Sequence, residues 1–191
     1  MRRLILVRHA APEVQPAIPA RDWALSSEGH LQAERLAARL ASLCAPAIVF
    51  SSPERKAFET AGLIACALSL KVERVADLRE HDRTGAGYLS ADAFAVSIAR
   101  FFDYPKELVF GRETAAQAGT RIATIVRELC ARTLDRDILL VTHGTVLTLY
   151  AVAVAGIEPL PFWHGLGMPA AIVFSLPDHR LLQQFQPPWP T

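Results

Sequence analysis

The sequence has no long apolar run. The stretch from Val146 to Ile157 comes closest, and Thr148 and Gly156 interrupt it, whereas a membrane span needs about 18 or more apolar residues in succession. Near the start, Leu4-Ile5-Leu6-Val7 is too short for a signal-peptide core and ends at Arg8 and His9. No membrane partner and a cytoplasmic location are therefore expected. An excess of charge is also missing. With a net charge of +1, the chain offers no broad basic surface for nucleic acid, and positive charge for an anionic substrate has to be concentrated at a site. Cysteine is scarce as well. Cys44, Cys66 and Cys130 are odd in number, far apart and set in helix-like apolar contexts. No pair has metal-ligand spacing, and three cannot all pair within one chain, so each is expected to be a buried free thiol that packs as a small hydrophobe. No cluster of His, Cys or acidic residues has ligand spacing, so neither a metal nor another cofactor is expected. Repeats and linkers are absent too.

What is present is material for a core. The chain is 51% hydrophobic and 20% charged, a balance that suits a globular protein and excludes disorder. Its 191 residues fit a single domain over 1–191, since domains cluster near ~100–200 residues.

Strand-like and helix-like patterns alternate. Arg3 to Arg8 is a short β-branched and leucine-rich run, and Ala47 to Phe50 a second buried strand. Between them, Ser26-Ser27-Glu28-Gly29 precedes a helix pattern with Leu31, Leu36 and Leu40 assigned to one face. Ser51-Ser52-Pro53 predicts a helix with Ser52 as N-cap and Pro53 in the first turn, running to about Leu70 with Ala57, Ala61, Ile64, Ala65 and Leu68 inward. Val72 to Val75 predicts a strand, Asp92 to Phe102 a short helix, and Thr114 to Leu134 a long one. Asp137 to Thr142 is a buried strand, with a helix expected from about Val146. Ala171 to Ser175 and Leu181 to Gln186 predict strands around a Pro177-Asp178 turn. The tail Pro187-Pro188-Trp189-Pro190 cannot extend a sheet interior and is expected on the surface. This alternation predicts an α/β fold, a three-layer α/β/α sandwich around a mostly parallel central sheet. The segment 85–111 interrupts the alternation; it is expected either to form a cap over the active site or to be a surface connection without substrate contact.

Open α/β sheets bind ligands beyond the carboxyl ends of their strands. Three predicted strands end on polar residues: Val7-Arg8-His9, Phe50-Ser51-Ser52 and Val141-Thr142-His143-Gly144. Two histidines and an arginine, far apart in sequence, are thus expected at one sheet edge. A lone His is usually structural; two that each follow a four-residue apolar run make that explanation less comfortable.

At these residues the chain resembles the histidine phosphatase superfamily, the clan of phosphoglycerate mutase and its phosphatase relatives. LILVRHAAPEV is similar to the signature segment, with Ala10 where Gly is commonest, and LSSEGHLQAERLA to the first helix. SSPERKAFETA resembles the second phosphate-pocket segment, DLREHDRTG the segment with the acidic residue, LLVTHGTVL the second-histidine segment and FWHGLGMPAAIVF the closing one. The resemblance implies that His9 attacks phosphorus and is transiently phosphorylated, which requires an unprotonated ring nitrogen aimed at the substrate. It implies that Arg8 and His143 hold phosphoryl oxygens, with Gly144 permitting close backbone approach. Glu80 is implied as the general acid, a role that asks for a raised carboxyl pKa. His81 and Arg83 are placed either against substrate or in solvent.

Two positions depart from the family pattern. Lys56 stands where a second phosphate-binding arginine is usual, keeping the charge and losing the bidentate fork; Arg55 points about 100° away on a helix. The segment after His9, AAPEVQPAIPARDW, offers neither the Thr nor the Asn of the mutases. The implied function is a metal-independent phosphatase acting on a small phosphorylated metabolite. The alternatives are a phosphoglycerate-type mutase and a phosphate-binding module that has lost turnover.

Overall fold

The computed structural model describes residues 2–189. Six strands form one sheet in the order β3-β2-β4-β1-β5-β6, comprising β1 (Arg3–Arg8), β2 (Pro46–Ser51), β3 (Val72–Arg74), β4 (Asp137–Thr142), β5 (Ala170–Ser175) and β6 (Leu181–Phe185). The four strands β3, β2, β4 and β1 are mutually parallel. β5 and β6 run antiparallel at one edge, where a short turn joins them and no crossover helix is needed. The fold is the expected mostly parallel α/β sandwich.

The helices are α1 (Ser27–Ala41), α2 (Arg55–Leu68), α3 (Ala91–Asp103), α4 (Ala115–Arg132), α5 (Gly144–Ala155) and α6 (Pro159–Gly165). Side chains on successive strand residues point to opposite faces, so continuous apolar strands feed two cores. Leu4, Leu6, Leu140, Ile172 and Phe174 pack with residues of α3, α4 and α5. Ile5, Val7, Leu139, Val141 and Val173 pack with α1 and α2 on the other face. That is why these strands are apolar throughout instead of alternating.

Several sequence expectations need correction. Leu31 is exposed, whereas Leu36 and Leu40 are buried; five residues span about 500° of helix, so Leu31 falls off their face. α2 starts at Arg55 with Glu54 as its N-cap residue, two residues later than expected, and the Ser52 hydroxyl accepts from the Glu54 amide at 3.2 Å just ahead of it. Of the cysteines, Cys44 is buried, Cys130 half-buried and Cys66 exposed. α5 begins at Gly144, two residues earlier than expected. The short helix α6 was not anticipated, since its run of Pro, Phe and Trp has no helical periodicity. In the tail, Trp189 is half-buried and its indole donates to Gln32 Oε1; Pro190 lies outside the described residues.

Candidate active site

Strand register assembles the site. β4 lies between β2 and β1, and all three end at the same level, with Arg8 paired to Thr142 and Ser51 to Val141. The chain leaves each strand still tethered: the His9 amide donates to Thr142 O at 3.0 Å and the Ser52 amide to Val141 O at 2.9 Å. Ser52, His143 and His9 therefore stand side by side at the carboxyl edge. The two imidazoles meet edge-on with centroids 5.0 Å apart.

His9 Nδ1 lies 2.8 Å from Ala10 O. A carbonyl only accepts, so Nδ1 carries the proton and Nε2 keeps its lone pair. The turn that makes this contact is anchored by the Ala10 amide donating to Thr60 Oγ1 on α2. Burial, with His143 and Lys56 nearby, holds the His9 pKa well below the usual histidine value. Burial and Lys56 do the same at His143, against an opposing pull from Glu80. Both rings are neutral at neutral pH. His143 Nε2 shares a hydrogen bond with Ser52 Oγ at 2.8 Å, while its buried Nδ1 has no partner.

Arg8 reaches across the sheet edge and donates through Nη1 to Leu166 O at 2.6 Å, leaving its buried Nε unpartnered. Burial lowers its pKa to about 10, so it stays charged. Gly144 makes room for it. A Cβ there would lie 3.0 Å from Arg8 Nε and 3.1 Å from Cζ, so the close approach that Gly144 permits is that of the guanidinium.

Glu80 is held from four directions. Oε1 accepts from the amides of His81 (2.9 Å) and Val146 (3.2 Å); Oε2 accepts from the Thr145 amide (3.2 Å) and Arg83 Nη2 (3.1 Å). Two of these donors are free amides in the first turn of α5, a natural seat for a carboxylate. Burial pushes the Glu80 pKa up, but Arg83, His143 and the His81 amide outweigh it and bring it down to about 2. This reverses the expected direction for the unliganded site. The sequence argument weighed burial and omitted the donors that converge on the carboxylate.

Lys56 points inward and Arg55 outward, as the helical offset requires. Lys56 is 6% exposed, and its Nζ donates to Glu54 Oε2 at 2.7 Å and Ala20 O at 2.8 Å; Arg55 pairs with Glu59 at the surface. The Glu54 carboxylate also accepts from the Glu80 amide at 2.8 Å and comes within 3.6 Å of His143 Nε2. Sequence reasoning passed over Glu54, although its place two residues before Lys56 was the available signal. It also gave Ser52 the wrong task. His81 is not solvated: it is 2% exposed, with its ring 4.3 Å from that of Phe101 and Nε2 donating to Glu113 O. Arg83 lies over the Phe94 ring at 4.5 Å and also donates to Thr145 Oγ1. Phe94 on α3 meets Trp163 on α6 at 5.8 Å, which fixes the excursion beside the sheet edge. Among the described residues, no group of three or more His, Cys, Asp or Glu is arranged to hold a metal ion.

Comparison with known proteins identifies the family and the fold. The chain is 28% identical over 171 residues to phosphoserine phosphatase 1 of Hydrogenobacter thermophilus, covering 85% of this chain and 81% of that one. A mutant phosphoserine phosphatase of Entamoeba histolytica, solved with phosphoserine, shares the fold at a TM-score of 0.79 and 20% identity, with 96% of each chain covered. A mycobacterial glucosyl-3-phosphoglycerate phosphatase superposes with a TM-score of 0.72 at 22% identity, over 95% of this chain and 96% of that one. The family model for branch 1 of the histidine phosphatase superfamily matches residues 4–177. The chain belongs to that superfamily and is a phosphoric monoester hydrolase of the histidine phosphatase type.

Proposed function

We propose that this protein hydrolyses a small phosphomonoester through a phosphohistidine formed on His9. The observation that carries this is the pairing of His9 Nδ1 with Ala10 O, which leaves Nε2 as a buried, unprotonated nucleophile beside a second neutral imidazole. Attack of Nε2 on phosphorus forms an N–P bond as the ester P–O bond breaks, and water then cleaves the N–P bond. Arg8 and His143 stabilise charge on the phosphoryl oxygens, with Lys56 as a further cation. Glu80 protonates the leaving oxygen and later takes a proton from the attacking water. In the empty site it is ionised; the negative charge of a bound phosphoryl group and diversion of Arg83 toward that group both raise its proton affinity.

The relatives include enzymes named for phosphoserine and glucosyl-3-phosphoglycerate, which supports a small phosphorylated metabolite as substrate. We assign the segment 85–111 the role of a cap, with Phe94 and Phe110 set around Arg83 and His81, and place the enzyme in the cytoplasm. The chemistry draws on side chains alone, so turnover is expected without a metal. Purified protein should release p-nitrophenol from p-nitrophenyl phosphate at undiminished rate in EDTA. Absence of turnover, or loss in EDTA restored by zinc or magnesium, contradicts the proposal.

A further inference from the structure

Glu54 stands in the cleft and has no part in the reaction just described. Its side chain is 13% exposed. An ammonium, a backbone amide and an imidazole surround it: Lys56 Nζ at 2.7 Å from Oε2, the Glu80 amide at 2.8 Å and His143 Nε2 at 3.6 Å from Oε1. Groups of these kinds are the ones that hold phosphoryl oxygens. Here they converge on a carboxylate of the protein itself.

A count of charge shows the consequence. Of the cations around the two imidazoles, Arg83 is matched by Glu80, Lys56 by Glu54 and Arg121 by Glu113. Both rings are neutral. Arg8 makes no ion pair among the described residues, and its partner is a backbone carbonyl. The cleft thus offers one uncompensated positive charge. A phosphomonoester carries about −1.5 to −2 at neutral pH and loses part of that charge below a second pKa of about 6. With Glu80 ionised and paired to Arg83 as in the empty site, the monoanion balances the cleft, whereas the dianion leaves a negative charge facing Glu54.

We infer that Glu54 is an internal anion of the phosphate site, which occupies Lys56 until a ligand arrives and makes the cleft select singly charged phosphate groups over doubly charged ones. The inference rests on the cleft taking a phosphoryl group. The charged and titratable groups that face Glu54 are Lys56 on α2, His143 after β4, His9 after β1 and Glu80 after β3. Burial favours its neutral form, but Lys56 and the Glu80 amide outweigh that and keep the carboxyl below its ordinary pKa, so Glu54 is ionised wherever the phosphate itself titrates.

The test is calorimetric titration of the full-length protein with inorganic phosphate, comparing wild type with Glu54→Gln at about pH 8 and about pH 5.5. At the higher pH, removing one buried charge a few ångströms from a dianion should tighten binding about tenfold or more. At the lower pH the ligand is a monoanion and the ratio should shrink to about threefold or less. A Gln variant that binds no tighter than wild type at the higher pH overturns the inference, as does an equal ratio at both pH values or binding by neither protein. If circular dichroism shows that Glu54→Gln does not fold, Glu54→Leu, similar in size and uncharged, is read in the same way. Turnover of p-nitrophenyl phosphate by wild type is scored separately, so failure of the phosphatase proposal and failure of this one give different results.

Discussion

At the scale of single residues, Lys56 shows how one position serves both fold and site. A buried ammonium is tolerated because Glu54 and Ala20 O accept hydrogen bonds from it. Removing one partner of a buried pair leaves the other charge uncompensated, a change that costs about 3–5 kcal/mol of stability. Lys56→Ala should therefore lower stability by that order and also remove about 2–4 kcal/mol of transition-state stabilisation, the range for one oxyanion donor. Arg55→Ala, next to it, breaks only an exposed pair with Glu59 and should cost less than about 1 kcal/mol with activity unchanged. Urea denaturation and kcat/KM of the two variants check this. A silent Lys56→Ala beside a severe Arg55→Ala would contradict the orientation of α2. The inward lysine was legible in the sequence because a 100° offset per residue is enough to separate neighbours. Its partner Glu54 was marked only by its place two residues before Lys56, a weak signal because a carboxylate at a helix start is more often solvated.

At the scale of elements, the start of α5 is where the site is most tightly built. Its first-turn amides are taken by Glu80, and Gly144 lies against the Arg8 guanidinium. Gly144→Ala places a methyl group 3.0 Å from Arg8 Nε. The obstructing atoms belong to the far end of a long side chain, so the helix should persist while Arg8 is displaced. Expected is a loss of about tenfold or more in kcat/KM, since groups displaced by about 1 Å can cost a hundredfold, with a melting temperature within a few degrees of wild type. Unchanged kcat/KM would mean that Arg8 does not act from the position seen here. Most elements were legible in the sequence because strands buried on both faces read as continuous apolar runs. α4 starts next to the expected Thr114, where Thr114 and Gln117 form a reciprocal capping box that sequence reasoning passed over. The start of α2 moved by two residues: Ser52 bonds both His143 Nε2 and the Glu54 amide, and the helix begins only after Glu54.

For the whole molecule, the decisive feature is the order of the strands. Parallel β2, β4 and β1 lie adjacent, which brings residues from positions 9, 52 and 143 to one edge. Apolar runs ending in Arg8-His9 and Thr142-His143 pointed to that convergence. The electrostatics were not legible, because Glu80 draws its donors from β4–α5 and from its own loop at once, and no local pattern encodes that sum. The account turns on His9 as the atom that takes the phosphoryl group, and the most direct measurement is a trapping experiment. Wild-type protein mixed with a radiolabelled phosphomonoester and quenched within its first turnovers should carry label that is stable to alkali, released by acid and mapped to the peptide containing His9. His9→Ala should carry none and should not turn over. Label that persists in His9→Ala, or turnover by wild type without any labelled protein, would contradict the account.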